Sequence, residues 1–145
     1  MIVVADTSAL FAAFDADHAE HRAALAVMEK EMLVISPLVL TELDHLVHRD
    51  LGFPAAMQIT DALMARMLDG RYRPAELKHV DLSAAQEIRA KYEGLHLDLA
   101  DAVGVVLADR FRTDSIFTLD QRDFRAIEPL THGVKSFRIL PADCS

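Results

Sequence analysis

Four carboxylates stand where the surrounding pattern is apolar. Asp6 directly follows Ile2-Val3-Val4-Ala5, Asp120 follows Ile116-Phe117-Thr118-Leu119, and Glu42 and Asp101 fall inside helical apolar patterns. A short run rich in β-branched residues and closed by an acid reads as a buried strand. Such a strand delivers its carboxylate to the carboxyl edge of a sheet, where open α/β folds bind ligands. Glu42 has Val39 three residues back, Leu38 four back and Leu46 four on, so its side of the helix is apolar and the carboxylate is expected to face inward. Asp101 shares a face with Leu97, Val105 and Ala108, and Asp98 projects from the same first turn. A charged carboxylate in such a setting needs a cation or several donors. Several together repel unless a cation holds them. All-oxygen ligands favour Mg²⁺ or Mn²⁺, and the chemistry that follows is metal-assisted phosphodiester hydrolysis.

Simpler roles compete for each acid. Asp6 could cap the helix that follows it, and Asp98 has the form of an N-cap. Asp101 at N3 of that helix favours its dipole. Asp120, before Gln121-Arg122-Asp123-Phe124, could be a turn acid, and His45 could pair with Glu42. Glu42 with His45 also has the three-residue spacing of carboxylate–histidine sites in helical bundles, which makes an all-α metalloprotein the competing architecture. No second Glu-x-x-His pair lies within a predicted helix, since Glu76/His79 falls in the irregular 71–80 stretch and Glu93/His96 beyond the helix ending at Lys91, and three strand-like runs oppose the reading.

The chain has 145 residues, 52% hydrophobic and 6% aromatic, with no Trp. That length suits one domain spanning 1–145. Its 15 basic and 23 acidic residues give a net charge of -8, which argues against a general nucleic-acid coating role but not against a nuclease whose acids are neutralised by metal. The single cysteine, Cys144, permits no intrachain disulfide and makes a Cys-based zinc site untenable. The apolar start has no basic lead and is too short for a signal peptide, and no run reaches membrane-spanning length. A cytoplasmic protein without membrane contact is the expectation.

The elements that must position the acids follow in order. The pattern predicts a strand at 1–5, helices at 7–14 and 18–30, and a strand at 32–35. Ser36-Pro37 starts a helix that bends or ends near Gly52, and Pro54 opens another to about Leu68. Residues 71–80 suggest an irregular edge strand. Helices from Asp81 or Ser83 to Lys91 and from Asp98 to Ala108 precede strands at 115–119 and 136–140. Strands separated by helices predict a parallel sheet with right-handed crossovers.

The four segments together resemble the PIN-domain family, and within it the VapC-like toxin ribonucleases of type II toxin–antitoxin pairs. Val3-Val4-Ala5-Asp6-Thr7-Ser8-Ala9-Leu10 resembles the opening motif and Ser36-Pro37-Leu38-Val39-Leu40-Thr41-Glu42-Leu43 the second. Asp98-Leu99-Ala100-Asp101-Ala102 resembles the third, and Phe117-Thr118-Leu119-Asp120-Gln121-Arg122-Asp123-Phe124 the fourth. The resemblance implies a three-layer α/β/α sandwich with a short, mainly parallel central sheet. It implies a central acidic site of Asp6, Glu42 and Asp101, with weaker or variable roles for Asp120 and Asp98 and supporting roles for Thr7, Ser8 and Thr118. It further implies Mg²⁺ or Mn²⁺, transfer or ribosomal RNA as substrate, a small cognate antitoxin, and a homodimer or larger toxin–antitoxin assembly. The alternative within the family is a catalytically inactive binding module.

Among the arginines, Arg71, Arg73, Arg110, Arg112, Arg122 and Arg125 are candidate phosphate contacts, with Arg112 and Arg122 favoured because both lie near the strand leading to Asp120. Tyr72 and Tyr92 could stack on a base or simply pack. The Leu-, Met- and Ala-rich helices between Pro37 and Leu68 carry surplus apolar surface suited to a second copy or an antitoxin.

Overall fold

Five short strands carry the architecture: β1 (Ile2–Ala5), β2 (Met32–Ile35), β3 (Arg73–Pro74), β4 (Ser115–Phe117) and β5 (Arg138–Leu140). They form one parallel sheet in the order β3-β2-β1-β4-β5. The computed structural model describes residues 1–144. The helices are α1 (Thr7–Phe14), α2 (His21–Lys30), α3 (Pro37–Leu51), α4 (Phe53–Leu68), α5 (His79–Lys91), α6 (Leu99–Arg110) and α7 (Gln121–Ala126). The alternation along β1 divides the core. Val3 and Ala5 pack with residues of α1 to α4, while Val4 packs with α5 and α6 on the opposite face. This is the expected three-layer α/β sandwich, and the parallel sheet excludes the all-α alternative.

Register places the chemistry. Ala5 pairs with Phe117, so Asp6 and Thr118 leave adjacent central strands side by side. The Asp6 N–H donates to the Phe117 carbonyl at 2.8 Å, and the Thr118 N–H to that of Leu140 at 3.0 Å. Ser36 caps α3 by accepting from the Val39 N–H at 3.2 Å, with Pro37 at the first helical position. The helix runs to Leu51, and Gly52 at φ 97° turns the chain into α4, a conformation that favours glycine.

Several boundaries differ from the sequence expectation for local reasons. The helix expected from residue 18 starts at His21, because the His18 ring accepts from the Glu20 N–H at 3.0 Å and holds a turn. The edge strand shrinks to two residues, one of them a proline that donates no ladder bond. Helix α5 starts at His79 rather than at Asp81 or Ser83. The Asp81 carboxylate accepts from the Lys78 N–H at 2.8 Å and occupies the third helical position, not the cap. Strand β4 stops at Phe117, where the Thr118 side chain takes up the site described below. The short helix α7 was not anticipated.

Candidate active site

Asp6, 8% exposed, is the most buried of the four candidate acids. It stands at the N-cap position of α1 but makes no side-chain capping bond, so capping does not explain it. Its Oδ2 instead accepts from the Thr118 hydroxyl at 2.6 Å and the Ser8 hydroxyl at 3.2 Å. Ser8 Oγ accepts from the Leu119 N–H at 3.0 Å, and Thr118 Oγ1 accepts from the Asp120 N–H at 3.0 Å. The two hydroxyls thus bind the ends of β1 and β4 to each other and to Asp6. Thr118→Val leaves Asp6 and the Asp120 N–H each one partner short. It should cost about 1–3 kcal/mol in chemical denaturation. A loss of less than about 0.5 kcal/mol would contradict this reading of Thr118.

Asp101 comes from the first turn of α6. Burial pushes its carboxyl up to about 8, reinforced by the Asp6 charge, a hydrogen bond to Asp6, and the charges of Asp98 and Asp120. Asp101 and Asp6 therefore share a proton-linked contact at the centre of the site. Asp98, at the N-cap of α6, makes no side-chain capping bond and is exposed. Its field reaches Glu42, Asp101 and Asp123.

Glu42 departs from the expectation of an inward carboxylate. The residue as a whole is exposed, because Leu38 and Leu46 on its side of α3 are themselves only partly buried. Its carboxylate nevertheless reaches over the rim to accept from the Thr7 hydroxyl at 3.3 Å. Partial desolvation raises its pKa, the Thr7 bond lowers it, and Asp6 and Asp98 raise it again. Thr7 thus connects Glu42 to the buried acids.

The structure adds Asp123, which carries no role in the sequence reading. Asp120 caps α7 by accepting from the Asp123 N–H at 3.2 Å, which sets the two carboxylates one turn apart. Single oxygens of Asp101, Asp120 and Asp123 all lie within 4.8 Å of one another. Burial, the Asp120 charge and a hydrogen bond to Asp120 raise the Asp123 pKa, while Arg122 lowers it and Asp98 raises it. Asp123 Oδ1 is buried without a hydrogen-bond partner. The available signal was the Asp-x-x-Asp spacing before the buried Phe124, the form of an N-cap and N3 acid.

A hard divalent cation fits this donor set. The ligands are all oxygen, the acids repel in its absence, and one buried carboxylate oxygen lacks a partner. The tightest group among the described residues is Asp101, Asp120 and Asp123, with Asp6 joined to it through Asp101. Glu42 stands at the edge of this group rather than within it.

The basic and aromatic candidates divide. Arg122, in the first turn of α7, lies close enough to Asp123 to lower its pKa. Arg112 does not reach the site. It precedes β4, and in a parallel sheet that end lies opposite the one carrying Asp6 and Asp120. Its neighbours there are Met1, Ile2 and Asp114. Arg110 is engaged by Asp81, Arg125 by Asp143, and Arg73 lies over the Phe111 ring. Tyr72 is buried and donates to the Met28 carbonyl at 2.7 Å, and Tyr92 accepts from the Glu128 N–H at 3.0 Å, so both phenols serve packing. No histidine joins the acid group among the described residues.

Comparison with known proteins agrees with this fold. A PIN-domain family model matches residues 3–129. Ribonuclease VapC26 of Mycobacterium tuberculosis is 37% identical over 141 residues, covering 96% of this chain and 100% of the relative. The fold is shared with M. tuberculosis VapC20, described as a sarcin–ricin loop cleaving toxin, at a TM-score of 0.73 and 21% identity over 84% of this chain and 92% of that one. It is also shared with VapBC2 of Rickettsia felis, solved with a DNA fragment from its promoter, at a TM-score of 0.67 and 16% identity over 96% and 98% of the two chains. The chain belongs to the PIN-domain family, in its VapC-like toxin ribonuclease branch.

Proposed function

We propose that this protein is a Mg²⁺- or Mn²⁺-dependent endoribonuclease toxin that hydrolyses phosphodiester bonds in transfer or ribosomal RNA in the cytoplasm. The observation that carries the reading is the Asp6–Asp101 contact beside Asp120 and Asp123, a concentration of carboxylates that an apo core has no reason to keep. Asp6, Asp101, Asp120 and Asp123 would hold the cation, with Glu42 and Asp98 at its margin. When bound, the cation supplies Lewis-acid activation of water and neutralises charge on the phosphate. Thr118 and Ser8 fix the Asp6 carboxylate, and Thr7 holds Glu42 where it can orient water. Arg122 is placed to meet a backbone phosphate at the rim. No single general base is assigned among carboxylates this close together.

The test is incubation of purified protein with total transfer and ribosomal RNA in Mn²⁺, Mg²⁺ or excess chelator. Discrete fragments that depend on the metal support the reading. RNA binding without cleavage in either metal would identify an inactive PIN-like module instead.

The protein partners in this reading are a small antitoxin and a second copy. Phe53, Met57, Met64 and Leu68 are 58, 50, 55 and 91% exposed and follow one another at intervals of four, seven and four residues on one face of α4. That spacing reads the same from either end. An antiparallel second copy would set Phe53 against Leu68 and Met57 against Met64, as an isologous interface requires. Met57→Lys combined with Met64→Lys should convert a dimer to a monomer in light scattering while changing stability by no more than about 1 kcal/mol. An unchanged mass would remove α4 from the interface. Among the described residues, no helix is long and apolar enough to cross a membrane.

A further inference from the structure

A cavity of about 290 Å³ opens beside the carboxylates, lined by Glu20, Ala23, Thr118, Leu119, Gln121, Pro141 and Ala142. Thr118 belongs to both places, since its hydroxyl lies 2.6 Å from Asp6. Whatever fills the cavity therefore sits next to the Asp6 carboxylate. The volume is ample for a purine base, and Leu119, Pro141 and the two alanines offer apolar contact to its faces.

Besides Thr118, which is engaged by Asp6, two polar side chains serve this space, and one is fixed in orientation. Gln121 Oε1 accepts from Arg125 Nε at 3.2 Å and Nη2 at 3.0 Å. Arg125 is itself held by Asp143, through Nη2 at 2.7 Å and Nη1 at 3.2 Å. Asp143 is anchored in turn by the Ile139 N–H at 2.9 Å. A guanidinium carries donors only, so the Gln121 amide must turn its oxygen to Arg125 and leave its NH₂ as the free end. Glu20, at the N-terminus of α2, forms no ion pair among the described residues and supplies two acceptor oxygens. The cavity thus combines an oriented donor with a carboxylate. Guanine complements that pair most fully. Its O6 accepts from an amide while N1–H and N2–H together face a carboxylate, whereas adenine, cytosine and uracil lack two adjacent donors beside a carbonyl oxygen.

We propose that this cavity is a recognition subsite for a guanine flanking the scissile phosphate, read by Glu20 and Gln121. The inference rests on the ribonuclease reading for its biological use, but binding of the base can be measured without turnover. The experiment titrates the four 5′-ribonucleoside monophosphates into the 145-residue chain without divalent cation, followed by NMR of the backbone amides of the residues lining the cavity. In parallel, fragment ends from transfer and ribosomal RNA cut in Mn²⁺ are sequenced. Guanosine monophosphate should bind at least about tenfold more tightly than the other three, and guanine should be enriched on one side of the cut. Gln121→Leu and Glu20→Gln should each reduce that preference about tenfold or more. Equal binding of all four nucleotides, or a guanine preference untouched by both variants, would overturn the subsite. Selective guanosine binding with no cleavage of any RNA would uphold the cavity and overturn the ribonuclease reading. Cleavage without guanine selectivity would do the reverse.

Discussion

Asp101→Asn is expected to raise the melting temperature of the metal-free protein at pH 8 while lowering RNA cleavage about a hundredfold or more. The two effects have one origin. Burial and the Asp6 charge hold the Asp101 carboxyl at about 8, well above an unfolded aspartate near 3.9. The folded state therefore binds this proton more tightly than the unfolded state does. Its contribution to stability is complete below about pH 4 and is lost as pH rises toward 8. Asparagine is the neutral form made permanent, and its amide can still donate to Asp6. Relief of about 2 kcal/mol at pH 8 corresponds to roughly 4–8 °C at this size, and the advantage should shrink as pH falls to 5. The same substitution would remove a negative oxygen from the proposed cation ligands, so activity should fall as stability rises. A variant less stable than wild type at pH 8, or one that cleaves as well, would contradict the role given to Asp101.

The second large effect is the response to cation. Mn²⁺ held by these carboxylates would require them ionised and so would compete with the proton on Asp101. At about a hundred times its dissociation constant a cation adds about 2.7 kcal/mol to the stability of the form that binds it. Scanning calorimetry of wild type should show a rise of several degrees with Mn²⁺ at pH 8, a smaller one at pH 5, and little for Asp101→Asn at either pH. Proton release on binding should be measurable between pH 5 and 8 from the buffer dependence of the heat. A Mn²⁺ response independent of pH and of Asp101 would place the cation elsewhere.

Much of this site was legible in the sequence because strand and helix periods are strict. An acid at the end of Ile2-Val3-Val4-Ala5 has little freedom once those residues are buried, and Asp101 is fixed by the apolar residues sharing its face of α6. The losses have equally local causes. Distance along the chain does not say which end of a strand a residue occupies, so Arg112, near Asp120 in sequence, lies at the opposite edge of the sheet. Glu42 looked buried because its neighbours are apolar, yet Leu38 and Leu46 sit at a rim and are only partly covered. Asp123 was hidden in a six-residue helix too short to show a period, and only the fold brings it against Asp101. The clamp that orients Gln121 depends on Asp143, eighteen residues beyond Arg125, a pairing no local pattern announces.

If these carboxylates hold a cation, anomalous diffraction from Mn²⁺-soaked crystals should locate it among them. A peak within ligand distance of Asp101, shared with Asp6 or with Asp120 and Asp123, is the predicted result. Asp123 Oδ1 should gain its missing partner there, either the ion or a water on it. Absence of a peak at a Mn²⁺ concentration that supports cleavage, or a peak confined to acids away from Asp101, would contradict the account.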